Sequence, residues 1–174
     1  MQDPTLRRLA TRLMPAAVLV ALFERAGAWR TILTERATML AHHPGQIAFP
    51  GGRIEMTDAG PLQAALREAE EEIGLPPMIV ETAGYLATRV TLTGYAVVPV
   101  VAFVRSRFSM RLDPAEVSTV FDAPLAHLLE PANRREVCVG GSAVWEILYG
   151  ERRIWGATAA ILVDLSQRLA EEAI

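Results

Sequence analysis

The chain has 174 residues, 51% of them apolar, and its 17 basic and 20 acidic side chains leave a formal net charge of −3. This length and composition predict one folded domain over residues 1–174 and exclude a largely disordered chain. All 17 basic residues are arginine, which excludes lysine chemistry, and the mildly acidic balance argues against a nucleic-acid partner bound through a broad basic face.

The first predicted element is a short amphipathic helix over Thr5–Leu13. Apolar runs at Ala16–Phe23 and Trp29–Thr34 then predict two strands joined by a turn at residues 25–27, which is typical of a hairpin. The segment 41–52 is rich in proline and glycine, and we interpret it as a shaped loop.

The second half of the chain mixes helices and strands. Apolar residues at helical spacing predict a helix over Pro61–Ile73, with proline at its first position and a glycine after its end. The further predicted elements are strands at Val80–Val90, Tyr95–Val104 and Val117–Phe121, a short helix over Pro124–Leu129, a hairpin of Glu136–Val139 with Val144–Tyr149, and a last helix over Ala157–Ala170. Together they indicate one α/β or α+β domain.

Two features bear on compartment and assembly. Cys138 is the only cysteine, so no intrachain disulfide forms, and we expect this residue in the core. Arg7, Arg8 and Arg12 before the apolar run Leu13–Phe23 imitate a signal peptide, but the run is shorter than the roughly 20 residues that span a bilayer. We therefore expect a cytoplasmic protein with no membrane partner. The apolar run Val97–Val104 fits a core or a homodimer interface equally well.

The predicted helix Pro61–Ile73 carries four carboxylates in five positions. At about 100° per residue, Glu68, Glu71 and Glu72 share one edge, while Glu70 points to solvent. Like charges at this spacing repel each other, and one neighbouring arginine balances only part of the charge. A hard divalent cation such as Mg²⁺ or Mn²⁺ would balance it, because these ions prefer oxygen ligands; an ordinary solvated acidic face is the alternative.

Gly51 and Gly52 precede this helix and allow the backbone to approach an ion or a phosphate closely. Together with residues 67–75 they resemble the Nudix box. That motif has a glycine and an acidic residue, then arginine, glutamate, an apolar residue, any residue, two glutamates, any residue, glycine and an apolar residue. Here Asp58 replaces the usual first glutamate, and the interval from Gly52 to Arg67 is one residue longer, which leaves the role of Asp58 open.

The longer interval and the aspartate resemble the coenzyme A pyrophosphatase branch of the Nudix hydrolases. Four further stretches resemble sequences of the same branch: residues 33–40, 43–52, 93–100 and 155–158. The resemblance implies an α/β/α sandwich with a mixed sheet between helices. It also implies a hydrolase with Mg²⁺ or Mn²⁺ as cofactor that cleaves the pyrophosphate of coenzyme A or acyl-CoA, giving adenosine 3′,5′-bisphosphate and (acyl-)4′-phosphopantetheine.

The resemblance also implies roles for the box residues. Glu68 and Glu72 are expected to be the main metal ligands, with a backbone carbonyl of Gly52 or its neighbour beside them. Glu71 is expected to be a further ligand or the water-activating base, and Arg67 to hold the carboxylates in place.

Residues outside the helix complete the predicted site. Glu116 is a second candidate base, or a carboxylate of a turn or helix start. Arginine forks match phosphate oxygens, so Arg36 is the first choice for a phosphate contact, followed by Arg53 and Arg89. His43 and Gln46 either bind substrate or shape their loop. His42 and His127 are expected to be structural or solvated, and three scattered histidines indicate no zinc site.

Two other functions stay open. One is a Nudix enzyme that acts on ADP-ribose, a dinucleotide or a deoxynucleoside triphosphate. The other is a non-catalytic domain of the same fold that binds a nucleotide or a protein partner, although the intact set of glutamates favours an enzyme.

Overall fold

The computed structural model describes residues 13–37 and 45–172. The helix predicted over Thr5–Leu13 lies outside them except for its last residue. The strands are β1 (Met14–Arg25), β2 (Ala28–Arg36), β3 (Ile47–Ala48), β4 (Gly51–Arg53), β5 (Val80–Tyr85), β6 (Arg89–Val90), β7 (Tyr95–Val104), β8 (Val117–Pro124), β9 (Arg134–Val139), β10 (Ser142–Tyr149) and β11 (Arg152–Trp155). The α-helices are α1 (Pro61–Ile73), α2 (Leu125–Leu129) and α3 (Ala157–Glu172), with 3₁₀ turns at Pro77–Ile79 and Pro131–Asn133.

Eight strands form a mixed sheet. Its central order is β3-β2-β1-β7-β5, and β4, β6 and β8 pair with β1, β7 and β2 respectively. The long pair β1–β7 is parallel, whereas the other pairs in this sheet are antiparallel. A second sheet has the antiparallel order β11-β10-β9.

The side chains of β1 alternate between two apolar layers, as a strand buried on both faces requires. Ala17, Leu19 and Ala21 pack with α1 on one face of the sheet, in a layer that also holds Val100 and Ala102 of β7. Val20 and Leu22 belong to the opposite layer, with α3 and the three-stranded sheet. The chain therefore forms an α/β/α sandwich with a mixed central sheet, and the run Val97–Val104 contributes to its core.

Helix α1 has the predicted bounds. Pro61 fits its first turn because a proline lacks only an N–H group that has no intrahelical partner there. Gly74 ends the helix with φ 71°, and its N–H donates to the carbonyl of Glu70 at 2.9 Å. The left-handed conformation favours glycine and satisfies a terminal carbonyl.

Three expectations need correction. The strand predicted over Val80–Val90 is interrupted between β5 and β6, where the Ala87 N–H leaves the ladder and donates to Asp164 of α3. The segment 41–52, interpreted as a loop, contains β3 and the first two residues of β4, and these strands and β11 were not predicted. Cys138 is exposed rather than in the core, because it lies on β9, an edge of the small sheet.

Within residues 13–37 and 45–172, no helix has both the length and the apolar character needed to cross a bilayer.

Candidate functional site

Three carboxylates meet beside α1. Glu68 and Glu72 lie one helical turn apart. One carboxylate oxygen of each, together with one of Glu116, forms a group in which all three atoms lie within 4.8 Å of one another. The segment before β8 delivers Glu116, because the N–H of Asp113 donates to the backbone carbonyl of Glu72 at 3.1 Å. The carbonyl of Glu116 in turn accepts from the N–H of Ala37 at 2.9 Å, at the end of β2. We call Glu68, Glu72 and Glu116 the acidic cluster.

The two glycines of β4 pack directly against this cluster. The N–H of Gly51 donates to Oε2 of Glu72 at 3.1 Å. A Cβ on Gly51 would lie 2.3 Å from the carbonyl oxygen of Ala17, and a Cβ on Gly52 would lie 2.4 Å from Oε1 of Glu68. Both separations are shorter than van der Waals contact, so a side chain at Gly51 would collide with the backbone of β1, and a side chain at Gly52 would displace the carboxylate of Glu68.

The charge of the cluster is poorly compensated by the protein. Glu72 is only 3% exposed, and burial raises its pKa to about 8, with the neighbouring Glu68 and Glu116 adding to the effect. Burial also raises the pKa of Glu68, although Arg67 opposes that shift. Oxygen donors crowded in this way fit a hard divalent cation, whose charge would replace the lost solvation.

Arg67 connects the helix to the loop before it. Its guanidinium donates to both oxygens of Asp58 at 3.1 Å, to Glu68 and Glu71 at 3.0 Å, and to the backbone carbonyl of Arg53 at 3.0 Å. The hydrogen bond from Arg67 lowers the pKa of Asp58, and the same contact raises that of Arg67. Asp58 also accepts from the N–H of Glu55 at 2.8 Å, so it holds the loop and orients Arg67.

A cleft of about 820 Å³ opens over the acidic cluster. This volume lies within the range of roughly 300–1,000 Å³ that is usual for small-molecule sites. Glu68 and Glu116 line the cleft together with Gly51, Gly52 and Arg36. Its lining also includes residues of β6, the turn that follows β6, and the start of α3.

The model of the NUDIX domain matches residues 13–139, which is most of the chain. The chain belongs to the Nudix hydrolases. It is 38% identical over 170 residues to NudL, an uncharacterised Nudix hydrolase of Escherichia coli, and the match covers 95% of this chain and 88% of NudL. NudL of Shigella boydii serotype 18 is similar to the same extent.

Solved structures similar to this Nudix hydrolase show the same fold. An Ap4A hydrolase of C. elegans in a binary complex has a TM-score of 0.62 at 19% identity and covers 90% of this chain and 98% of its own. The NUDIX domain of Shewanella oneidensis NrtR complexed with ADP ribose has a TM-score of 0.53 at 22% identity and covers 74% and 81%. Enzymes of this family hydrolyse small diphosphate compounds and generally use divalent metal ions, typically Mg²⁺ or Mn²⁺.

In this Nudix hydrolase the carboxylates predicted to share one edge of α1 are divided. Glu68 and Glu72 join the acidic cluster, and Glu116 joins them from outside the box. Glu71 is instead exposed and forms its ion pair with Arg67. Glu70 is exposed, as expected. Burial of Glu72 was not predicted, because the helical wheel shows the edge of a helix but not the strand that covers it.

The arginines predicted to contact phosphate have different surroundings in this Nudix hydrolase. Arg36, Arg53 and Arg89 all line the cleft, but Arg89 is paired with Asp164 of α3 at 3.1 Å. The guanidinium of Arg53 donates to the hydroxyl of Tyr95 at 3.1 Å.

Of Gln46 and the three histidines considered in the sequence, only Gln46 is found at the cleft among the described residues. Gln46 lines the cleft, whereas His42 and His43 lie outside the described residues. His127 contacts the carbonyl of Leu148 at 2.7 Å and Asn133 at 3.2 Å, which is a structural role in α2.

Several cleft residues had no role assigned from the sequence. Tyr95 and Trp155 lie in stretches that resemble the coenzyme A pyrophosphatase branch, and that resemblance was the only signal for them. Val90, at the end of a predicted strand, carried no signal, since an apolar residue in a strand is ordinarily assigned to the core, and Leu92, between two predicted strands, carried none either.

Proposed function

We propose that this Nudix hydrolase cleaves the pyrophosphate bond of coenzyme A or acyl-CoA with the help of Mg²⁺ or Mn²⁺. The products would be adenosine 3′,5′-bisphosphate and 4′-phosphopantetheine or its acylated form. The observation that carries the hydrolytic part is the acidic cluster beside a cleft that is also lined by Arg36 and Arg53. The choice of coenzyme A is supported by the lengthened box and by the sequence stretches that resemble the coenzyme A branch.

Glu68 and Glu72 are proposed to hold the cation, with the backbone of Gly52 beside them. The fit is supported by the poorly compensated charge of the two carboxylates and by the space that Gly52 leaves for Glu68. When bound, the cation would neutralise the diphosphate and lower the pKa of the attacking water. Arg67 keeps Glu68 in place through its ion pair, and Asp58 orients Arg67.

Glu116 is proposed as the base that accepts a proton from water. Its carboxylate is in the cluster and lines the cleft, whereas Glu71 is directed to Arg67. Water oxygen forms the new bond to phosphorus, the bond from phosphorus to the bridging oxygen breaks, and the bridging oxygen leaves with the other phosphate. Arg36 and Arg53 are proposed to bind the non-bridging oxygens, because guanidinium groups match phosphate geometry.

Product analysis tests the reaction and the substrate. We expect coenzyme A, incubated with the protein and Mg²⁺ in ¹⁸O-labelled water, to yield adenosine 3′,5′-bisphosphate and 4′-phosphopantetheine, with the label in only one of them by mass spectrometry. ADP-ribose, a dinucleotide and a deoxynucleoside triphosphate serve as comparison substrates. A higher kcat/KM for one of these than for coenzyme A would contradict the proposed substrate but not the hydrolytic reaction.

Metal binding has a readout that does not depend on turnover. A cation that binds only the folded protein raises its stability by about 2.7 kcal/mol at a hundredfold excess over Kd. We therefore expect Mn²⁺ to raise the Tm of the wild type and of Glu70→Gln, which changes an exposed glutamate of the same helix, but not that of Glu68→Gln. An equal rise in all three proteins would contradict the proposed ligands.

A further inference from the structure

Within the part of the chain that the structure describes, the hydroxyl of Tyr95 accepts hydrogen bonds but donates none. Its oxygen accepts from the guanidinium of Arg53, from Nη2 at 3.1 Å and from Nε at 3.4 Å. A phenol accepts through the lone pairs of its oxygen and also has an O–H to donate. Tyr95 and Arg53 both line the cleft over the acidic cluster. A ligand in the cleft can therefore supply the acceptor for this O–H.

The register of the main sheet explains why Arg53 and Tyr95 meet. Arg53 of β4 is opposite Ala16 of β1, which is opposite Val97 of β7. Tyr95 precedes Val97 by two residues on β7, so its side chain is on the same face of the sheet. The side chain of Ala16 ends at Cβ, and the longer side chain of Arg53 extends across β1 until its guanidinium lies 5.8 Å from the centroid of the Tyr95 ring. Two strands of the central sheet thus carry the pair.

Hydrogen bonds fix the backbone of Tyr95. Its N–H donates to Oγ1 of Thr91 at 3.0 Å, and its carbonyl accepts from the N–H of Thr91 at 2.9 Å. The carbonyl of the preceding Gly94 accepts from the N–H of Met14 at 2.8 Å, which connects the turn to β1. A hydroxyl that is held in place before a ligand arrives loses little conformational entropy on binding.

The guanidinium of Arg67 connects this pair to the acidic cluster. It donates to Oε1 of Glu68 and to the backbone carbonyl of Arg53, both at 3.0 Å. One side chain therefore holds a proposed cation ligand and the backbone of a proposed phosphate ligand. Because Arg53 donates to the Tyr95 hydroxyl, an oxygen that binds the remaining N–H groups of Arg53 is also close to that hydroxyl.

The chemistry of the pair favours a charged oxygen as the acceptor. A cation that donates to the phenol oxygen of Tyr95 polarises its O–H and makes it a stronger donor. Hydrogen bonds to an ionised acceptor are about twice as strong as those between neutral groups. The positive charge of Arg53 beside the hydroxyl also attracts an anion, so a phosphate oxygen fits better than an amide or an ester oxygen.

From these observations we infer that the hydroxyl of Tyr95 donates a hydrogen bond to a non-bridging oxygen of the diphosphate, next to the guanidinium of Arg53. This inference rests on the proposed function and adds to it a substrate-binding residue from outside the box. Tyr95 then does more than position Arg53, because its hydroxyl contacts the ligand directly.

Removal of the hydroxyl alone tests this contact. Tyr95→Phe keeps the ring, and Tyr85→Phe is the matched control, because Tyr85 is 50% exposed and is not part of the cleft lining. The probe is methylenediphosphonate with Mg²⁺, since this diphosphate analogue is not hydrolysed, and calorimetric titration gives its Kd. A hydrogen bond to a charged group changes an equilibrium constant by roughly ten- to a hundredfold, so we expect Tyr95→Phe to raise Kd by at least about tenfold and Tyr85→Phe to leave it unchanged. Circular dichroism and Tm of each variant check that the fold is unchanged.

A double substitution separates contact from positioning. In the Arg53→Ala background, a hydroxyl that contacts the ligand still contributes, so Tyr95→Phe should raise Kd by a further factor of about three or more. No further rise in that background would show that Tyr95 only positions Arg53, and an unchanged Kd in Tyr95→Phe alone would show that the O–H donates to solvent; either result overturns the inference. If the wild type binds the probe but does not hydrolyse coenzyme A, the proposed substrate is wrong, while the Kd values still decide the role of Tyr95.

Discussion

Glu72 and Glu146 are both buried glutamates, 3% and 1% exposed, but their surroundings have opposite charge. Glu146, on β10, is hydrogen-bonded by Arg153 of β11 and Arg135 of β9, and the bond from Arg153 is the main reason that its pKa is lowered. Glu72 accepts a single backbone N–H from Gly51; burial raises its pKa, and the carboxylates of Glu68 and Glu116 raise it further.

The difference separates a structural carboxylate from a functional one. The arginines of the small sheet complete the environment of Glu146, which ties three strands together. Glu72 has no arginine hydrogen-bonded to it among the described residues, and the charge of Arg36, which lowers its pKa, does not offset its burial. Unfavourable burial of this kind is typical of sites that bind a cation. Buried carboxylates are therefore better classified by their partners than by their burial.

The largest expected effect comes from exchanging each of these carboxylates for its amide. We expect Glu72→Gln to lower kcat by about a thousandfold, the equivalent of about 4 kcal/mol in the activation free energy. Glu146→Gln should leave kcat within about threefold of wild type and lower the free energy of unfolding by about 1–3 kcal/mol. Steady-state kinetics and chemical denaturation measure the two effects. Comparable activity in the two variants would remove the distinction.

A smaller effect on kcat is expected to distinguish Glu116, inside the acidic cluster, from Glu71, outside it. Because Glu116 lies in the acidic cluster and Glu71 does not, we expect Glu116→Gln to lower kcat by about a hundredfold, as is usual for loss of a general base. Glu71→Gln, which removes only an exposed partner of Arg67, should change kcat by less than about tenfold. A larger loss with Glu71→Gln would restore Glu71 as the base.

The smallest effect concerns the pH dependence of stability without metal. A carboxyl whose pKa is raised on folding binds its proton more tightly in the folded state, so its contribution is fully present below the unfolded pKa near 4.5 and is lost as the pH rises towards 8. In EDTA, wild type should therefore lose up to about 2 kcal/mol relative to Glu72→Gln between pH 6 and 8.

Glu146 supplies the opposite sign for comparison. Its pKa is lowered on folding, so its contribution to stability is present above the unfolded pKa and is lost as the pH falls. Between pH 6 and 8, the stability difference between wild type and Glu146→Gln should stay constant. A difference for Glu72→Gln that is also constant over this range would show that Glu72 is not protonated in the metal-free protein.

Local patterns in the sequence were sufficient for much of the fold. The bounds of α1 follow from a proline, a glycine and the spacing of apolar residues, all of which act within one or two helical turns. The first hairpin follows in the same way from two apolar runs and a turn at residues 25–27. The box pattern identified Glu68 and Glu72 as candidate ligands because their spacing depends only on the helix that carries them.

Tertiary structure decided which residues meet. Glu116 joins the cluster through backbone hydrogen bonds to α1 and to the end of β2, and no local pattern encodes such contacts. The turn Thr91–Tyr95 and the start of α3 share one cleft because β6 pairs with β7 and α3 packs against the same sheet. The sequence by itself determined the helix and the acidic motif on it, since both depend on neighbours in the chain. The burial of Glu72, the separation of Glu71 from the acidic cluster and the lining of the cleft depend on residues distant in sequence, so only the folded chain decided them.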